Sequence, residues 1–296
     1  MIDGTPSGAI TVSRSRENPM GLNLSTVGSR TEPFVFEYDF RDTVLYALGI
    51  GAGREELDFV YEGRGPRVYP SFAVVPSYAA ATQLFGLTGC DLTQLFHLAQ
   101  TVRIERPIPT AGKLETVGTV RAIYDMKRFA QVVLATTTTE HGEPLFETEW
   151  QLVVRDAGNF GGPRPPKSDL PKAEAGATPS FAITLPTTPE QALLYRLSGD
   201  LNPLHADPEF AQRAGFPSPI LHGLCTFGVM TRALVRHLGD ERRIRALGAQ
   251  FRKPVWPGEP VRTEGYDLGD GRFALEAFAA DRPDPVITNG WAHITS

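Results

Sequence analysis

Apolar residues fall into two runs of similar order, separated by a stretch rich in glycine and proline. In the first run, residues 42–51 (DTVLYALGIG) have apolar positions at helical spacing and close on glycines, which suit a helix C-cap. Residues 53–67 are charged and read as a loop. Residues 69–87 are largely apolar, which predicts a second helix starting at Ser77. Four strand-like runs follow, at 95–105, 114–125, 129–139 and 145–154, alternating or rich in Val, Thr and aromatic residues. In the second run, residues 181–185 read as a short strand and 190–199 as a helix. A loop broken by prolines leads to an apolar helix at 224–238. Strand candidates follow at 244–252, 261–267, 273–280 and 286–294.

The two runs repeat each other in residues as well as in order. Leu45 to Gly51 (LYALGIG) aligns with Leu194 to Asp200 (LYRLSGD), and Arg106-Pro107-Ile108-Pro109 with Lys253-Pro254-Val255-Trp256-Pro257, at nearly one offset. The pattern predicts a duplicated α+β unit, each copy a long apolar helix wrapped by antiparallel strands. Placed side by side, two such units make one continuous sheet. The predicted organisation is a flexible arm at 1–32, a first unit at 33–157, a linker at 158–180 and a second unit at 181–296.

The chain has 296 residues, is 41% hydrophobic and carries a formal charge of −5 with both signs dispersed. That is enough length for two modest cores. It gives no basic surface for nucleic acid. Two cysteines, Cys90 and Cys225, make no disulfide framework and fit a reducing compartment. No run reaches transmembrane length, and the first residues lack the apolar core of a signal peptide. The terminal His293-Ile294-Thr295-Ser296 is not the peroxisomal tripeptide. A cytoplasmic location without a membrane partner is the expectation.

The chemistry gathers between Tyr195 and Phe227. Asp200, Asn202 and His205 surround Pro203, which removes a backbone donor and turns its neighbour away from helix. Polar side chains on such an irregular loop can converge on one point. Asp207 and Pro208 fit the cap and first turn of a short helix. The helix from Leu224 would present free N–H groups near Gly223, where a developing negative oxygen can be held. Each of these residues also has a plain reading: Asp200 as a helix terminator, Asn202 as a turn cap, His205 as a satisfied loop histidine. His222 reads as a structural group at the helix start. Cys225 reads as a small hydrophobe rather than a nucleophile. Asp200, His205, Asp207 and His222 show no regular metal-ligand spacing.

SGDLNPLHADPEFA followed by GFPSPILHGLCTFG resembles the hydratase 2 motif of the MaoC-like (R)-specific 2-enoyl-CoA hydratases. YALGIGAG, RPIPTAGKLETVG, the FGG before the linker and KPVWPGEPVRTE extend the resemblance over most of residues 33–296. It implies a double hotdog fold and reversible hydration of trans-2-enoyl-CoA to the (3R)-hydroxyacyl-CoA, with Asp200 and His205 catalytic. It implies an acyl-chain-binding first half, a homodimer and no cofactor, CoA being part of the substrate. Chemically, such a reaction needs a base for water, an acid for Cα and a donor for the enolate oxygen. Asp200 and His205 supply the first two in either order, Asn202 orients the water or the ring, and the Gly223 N–H is the oxyanion donor. The alignment sets Gly51 and Glu56 of the first half against Asp200 and His205, so one active site is expected in the two halves.

His97 matches the first residue of a family segment that touches substrate, although Leu98 replaces its glycine. Lys127 falls in a turn where the family has a CoA-contacting lysine, and Phe251 in a segment lining the CoA site. Arg252 and Lys253 are further phosphate candidates, as are Arg242 and Arg243. Ala79-Ala80-Ala81 leave room either for an acyl tail or for close helix–sheet packing. A thioesterase on the same fold and a silent acyl-CoA-binding protein are the alternative readings.

Overall fold

The computed structural model describes residues 21–90 and 94–295. Its strands are β1 (Phe34–Tyr38), β2 (Leu95–Ile104), β3 (Gly112–Met126), β4 (Phe129–Glu140), β5 (Glu143–Arg155), β6 (Phe181–Leu185), β7 (Ile244–Phe251), β8 (Val261–Asp267), β9 (Arg272–Ala279) and β10 (Ile287–Ile294). Its α-helices are α1 (Phe40–Gly49), α2 (Leu57–Val60), α3 (Val74–Leu87), α4 (Gln191–Tyr195), α5 (Pro208–Arg213) and α6 (Gly223–Leu238).

The strands form one antiparallel sheet in the order β1-β3-β4-β5-β2-β7-β10-β9-β8-β6. Read outward from the centre, each half has the same order: its second, fifth, fourth, third and first strand. The duplication seen in the sequence is therefore a two-fold repeat of the sheet, joined where Thr101 of β2 faces Gly248 of β7. α3 packs on β3 and β4, and α6 packs on β6 and β8. This is the α+β double hotdog that the resemblance implies.

Local chemistry sets the helix limits. Asp39 caps α1 through the Arg41 N–H at 2.8 Å, and the Asp42 side chain returns to the Asp39 N–H, closing a capping box. α3 starts at Val74, three residues before the Ser77 start read from sequence. Pro76 lies in its first turn, where a missing N–H costs nothing because no intrahelical acceptor exists there. The 53–67 loop holds the one-turn helix α2. Residues 21–32 are not the flexible segment read from sequence. Leu22 is buried in the core, and Gly28 and Thr31 donate to the Val120 and Gly118 carbonyls of β3 at 2.8 and 3.0 Å. Residues 1–20 of the expected arm lie outside the described residues.

The glycine-rich segment after β5 carries no strand or helix before β6, but its start is anchored. The Asn159 and Gly161 N–H groups donate to the Asp125 carboxylate at 3.0 and 2.8 Å. Ala80 and Leu84 of α3 pack on Gly118 of β3, so the small residues at this point serve close packing. Among the described residues, no helix is long and apolar enough to cross a membrane.

Candidate active site

The loop after α4 is shaped by its breakers. Arg196–Ser198 form a 3-10 turn, and Gly199 ends it at φ 124°, a backbone angle that side-chain-bearing residues avoid. Asp200 follows at once. Asn202 then caps a second 3-10 turn, Pro203–His205, its Oδ1 accepting the Leu204 N–H at 3.0 Å. Asp207 caps α5 through the Glu209 and Phe210 N–H groups at 2.8 and 3.2 Å. These turns fold Asp200 and His205 toward the start of α6.

His205 is buried, and its Nδ1 lies 2.8 Å from the Ile220 carbonyl. A carbonyl only accepts, so Nδ1 carries the proton and Nε2 presents a lone pair. Burial pushes the ring below the usual histidine range, against the pull of the Asp200 charge. The ring is neutral and an acceptor near neutral pH. His222 stacks beneath it with centroids 3.7 Å apart and planes at 27°. Its Nε2 donates to the Asp200 backbone carbonyl at 3.1 Å. Burial first, then the neighbouring His205, pushes His222 down to about 3. His222 thus fixes the backbone at Asp200 and supports the His205 ring, the structural role read from sequence.

Ligand-type atoms of Asp200, His205 and His222 lie within 4.8 Å of one another. A zinc ion would need lone pairs converging at roughly 2.0–2.1 Å. The two rings stack with planes at 27°, and His205 Nδ1 and His222 Nε2 are each committed to a backbone carbonyl, which leaves one nitrogen of each ring for any ligand. Asp207 is used as a helix cap. Cys225 is fully buried, donates toward the Gly49 carbonyl at 3.3 Å, and burial pushes its thiol up, away from nucleophile chemistry.

Gly223 is the first residue of α6, where N–H groups lack intrahelical acceptors and the helix dipole is positive. A Cβ on Gly223 would lie 3.4 Å from the Phe251 ring, in ordinary contact, so that ring packs close against the helix start. His97 packs between Trp150 and Phe251, with centroids at 5.4 and 4.9 Å. Desolvation pushes it down to about 4. The substituted Leu98 is the extra residue of a bulge between β2 and β5, and the His97 ring still reaches the site.

The remaining candidates divide. Lys127 is exposed in the β3–β4 turn, and Arg252 and Lys253 follow the end of β7; all three lie at the end of the sheet that carries His97 and Phe251. Lys253 is ion-paired with Asp284. Arg242 and Arg243 sit at the opposite end of β7, tied to Asp240 and the Thr295 carbonyl, so the phosphate role read for them from sequence is corrected. Asn202 is exposed; its Oδ1 accepts the Leu204 N–H and its backbone carbonyl accepts the His205 N–H at 3.2 Å, so it holds the turn that carries His205.

Two features escaped the sequence reading. Tyr78 of α3 donates its O–H to Asp200 Oδ1 at 2.9 Å, across 122 positions of chain. Trp150 of β5 lies edge-on to it. A lone phenol beside three alanines in an apolar helix was the one available sign. The other feature occupies the repeat-related place in the first half. There, Arg232 of α6 binds Glu56 through Nε at 2.9 and 2.7 Å, both side chains buried, with Tyr69 O–H on the same carboxylate at 3.1 Å. The Arg232 guanidinium lies 3.1 Å from where a Cβ of Gly51 would be. The positions aligned with Asp200 and His205 therefore hold a buried ion pair between the halves.

Comparison with known proteins follows the same division of the chain. Residues 36–156 match the family model described as MFE-2 hydratase 2 N-terminal domain, and residues 171–278 match the MaoC like domain. The chain is 41% identical over 276 residues to 3-hydroxyacyl-thioester dehydratase Y of Mycobacterium tuberculosis, covering 88% of this chain and 94% of that protein. It is 34% identical over 285 residues to enoyl-CoA hydratase ChsH3 of the same organism, covering 92% and 98%. Among solved structures, a MaoC-like dehydratase from Phytophthora capsici superposes with a TM-score of 0.84 at 27% identity, covering 93% and 98%.

Proposed function

The chain belongs to the MaoC-like hydratase 2 family and is a hydro-lyase of enoyl-CoA thioesters, and we propose that Asp200 and His205 carry its reaction on one shared water. The observation that supports this most is the pair of acceptors, the Asp200 carboxylate and His205, beside the free N-terminus of α6. A water between them donates one proton to each. One acceptor takes a proton as the water oxygen attacks Cβ. Electrons move through the double bond to the thioester oxygen, which the Gly223 N–H stabilises. Losing such a donor typically costs about 3–4 kcal/mol in the barrier.

The enolate then takes a proton at Cα. The proton returned to Cα is the one removed from water. Both groups lie on one side of the substrate, so addition is syn, and the product assigned is the (3R)-hydroxyacyl-CoA. The thioester itself acidifies Cα and activates Cβ, so the chemistry requires no metal or organic cofactor. Lys127, Arg252 and Lys253 are assigned to the CoA phosphates, and His97 and Phe251 to the thioester end. A medium to long acyl chain and a homodimer are part of the proposal. The two free thiols support a reducing, cytoplasmic setting.

The test is loss of enoyl-thioester absorbance across trans-2-enoyl-CoA chain lengths, with a thiol reagent present to trap free CoA. The expected result is rapid loss at medium and long chains without CoA release. Release of CoA in step with the loss would replace this reading by thioester hydrolysis. Tight acyl-CoA binding without turnover at any length would leave a silent binder.

A further inference from the structure

The reacting carboxylate is gripped from the half of the chain that lacks the motif. Asp200 Oδ1 accepts two hydrogen bonds, from the Tyr78 O–H at 2.9 Å and from the Asn202 N–H at 3.2 Å. The second is local and fixes the oxygen relative to its own loop. The first ties it to α3. Oδ2 takes neither bond and is the oxygen left to face a water. A carboxylate held at one oxygen by two donors cannot swing freely, and its second oxygen acquires a defined direction.

Tyr78 is itself held by rings. It meets Trp150 edge-on, with centroids at 6.0 Å and planes at 67°. Trp150 stacks on His97 at 5.4 Å and 13°. His97 meets Phe251 at 4.9 Å and 63°, and Phe251 faces Gly223. This row of rings runs from the carboxylate to the oxyanion donor, and Tyr78, Trp150 and His97 all come from the first half. The two ends are tied directly within the second half by His222, whose Nε2 donates to the Asp200 backbone carbonyl, and the first-half rings pack along the same line and hold the carboxylate's side chain.

We propose that Tyr78 is a positioning residue for the hydration reaction, its O–H orienting Asp200 so that Oδ2 faces the water. This rests on the assignment of Asp200 made above. Burial, then the Asp200 charge, push the phenol well above its usual range, so it remains a donor at every working pH. The titratable groups facing Asp200 are Tyr78, His97, Tyr195, His205 and His222. Arg196 lies near His222. Of the groups facing Asp200, Tyr78 is the one whose side-chain donor contacts the carboxylate.

The experiment compares wild type, Tyr78→Phe and Tyr78→Leu by kcat and KM separately, with thermal unfolding as a fold control. Phe keeps the ring against Trp150 and removes only the O–H. A lost hydrogen bond to a charged group typically costs enough for a roughly 10- to 100-fold fall in kcat. KM is expected to change little. If Tyr78→Phe keeps wild-type kcat while Tyr78→Leu is impaired, Tyr78 only packs and the proposal is wrong. If the wild-type enzyme does not hydrate enoyl thioesters, the reading beneath it fails first, and that outcome is seen without any variant.

Discussion

His205 is made an acceptor by a single backbone contact. Ile220 offers a carbonyl to Nδ1, so the proton sits there and Nε2 is open, while burial keeps the ring neutral. Asp200 has its Oδ1 engaged by two donors and its Oδ2 left over. The pair is asymmetric in its surroundings, and in the proposed reaction the two acceptors share one water. Asp200→Asn and His205→Ala are each expected to cut kcat by about 10²–10⁴-fold, the usual size of a lost acid–base group. Circular dichroism and unfolding midpoints check that the fold remains; near-wild-type turnover in either folded variant would remove the assignment.

At this scale the sequence was most legible where partners are close in the chain. The spacing of Asp200, Asn202 and His205 around Pro203 exposed the loop and its chemistry. Tyr78 was not legible, because nothing local to α3 signals a partner 122 positions away. Asn202 was visible as a polar group, but its part in the turn before His205 is revealed only by the backbone geometry.

α6 begins at Gly223, and its first turn brings unpaired N–H groups beside the Phe251 ring. In the third turn of the same helix, Arg232 occupies the place in the first half that aligns with the Asp200–His205 loop. One helix thus starts at the active site and, further along, closes its counterpart. Removing one partner of a buried ion pair leaves an uncompensated charge and typically costs about 3–5 kcal/mol. Glu56→Gln is expected to lower unfolding stability by that order in denaturant titration. The double change Glu56→Met with Arg232→Met should be closer to wild type than either single change. Equal or greater loss in the double variant would show that the pair is not acting as a unit.

The strands and long helices were legible because period-2 and period-3.6 patterns are properties of the chain itself. Their ends were less so. α3 begins earlier than read because Pro76 is harmless in a first turn, and residues 21–32 pack through backbone hydrogen bonds that polar composition does not reveal.

The whole molecule is a duplicated sheet with unequal halves. The second half holds the motif, and the first supplies Tyr78, Trp150 and His97 around it. The repeat in the sequence announced the two-fold sheet, but not that the site is built across it. Side-chain contacts between halves depend on how two units pack, which no local pattern encodes. In the proposed reaction, base, acid and oxyanion donor act on one side of the substrate with a single water. Hydration of a trans-2-enoyl-CoA in deuterium oxide tests this most directly, with the configuration at C2 and C3 of the product read by chiral analysis and nuclear magnetic resonance. The expected product is the (3R)-hydroxyacyl-CoA with deuterium at C2 added syn to the hydroxyl. Deuterium placed anti to the hydroxyl would require groups on opposite sides of the substrate and would contradict the shared-water site of Asp200 and His205.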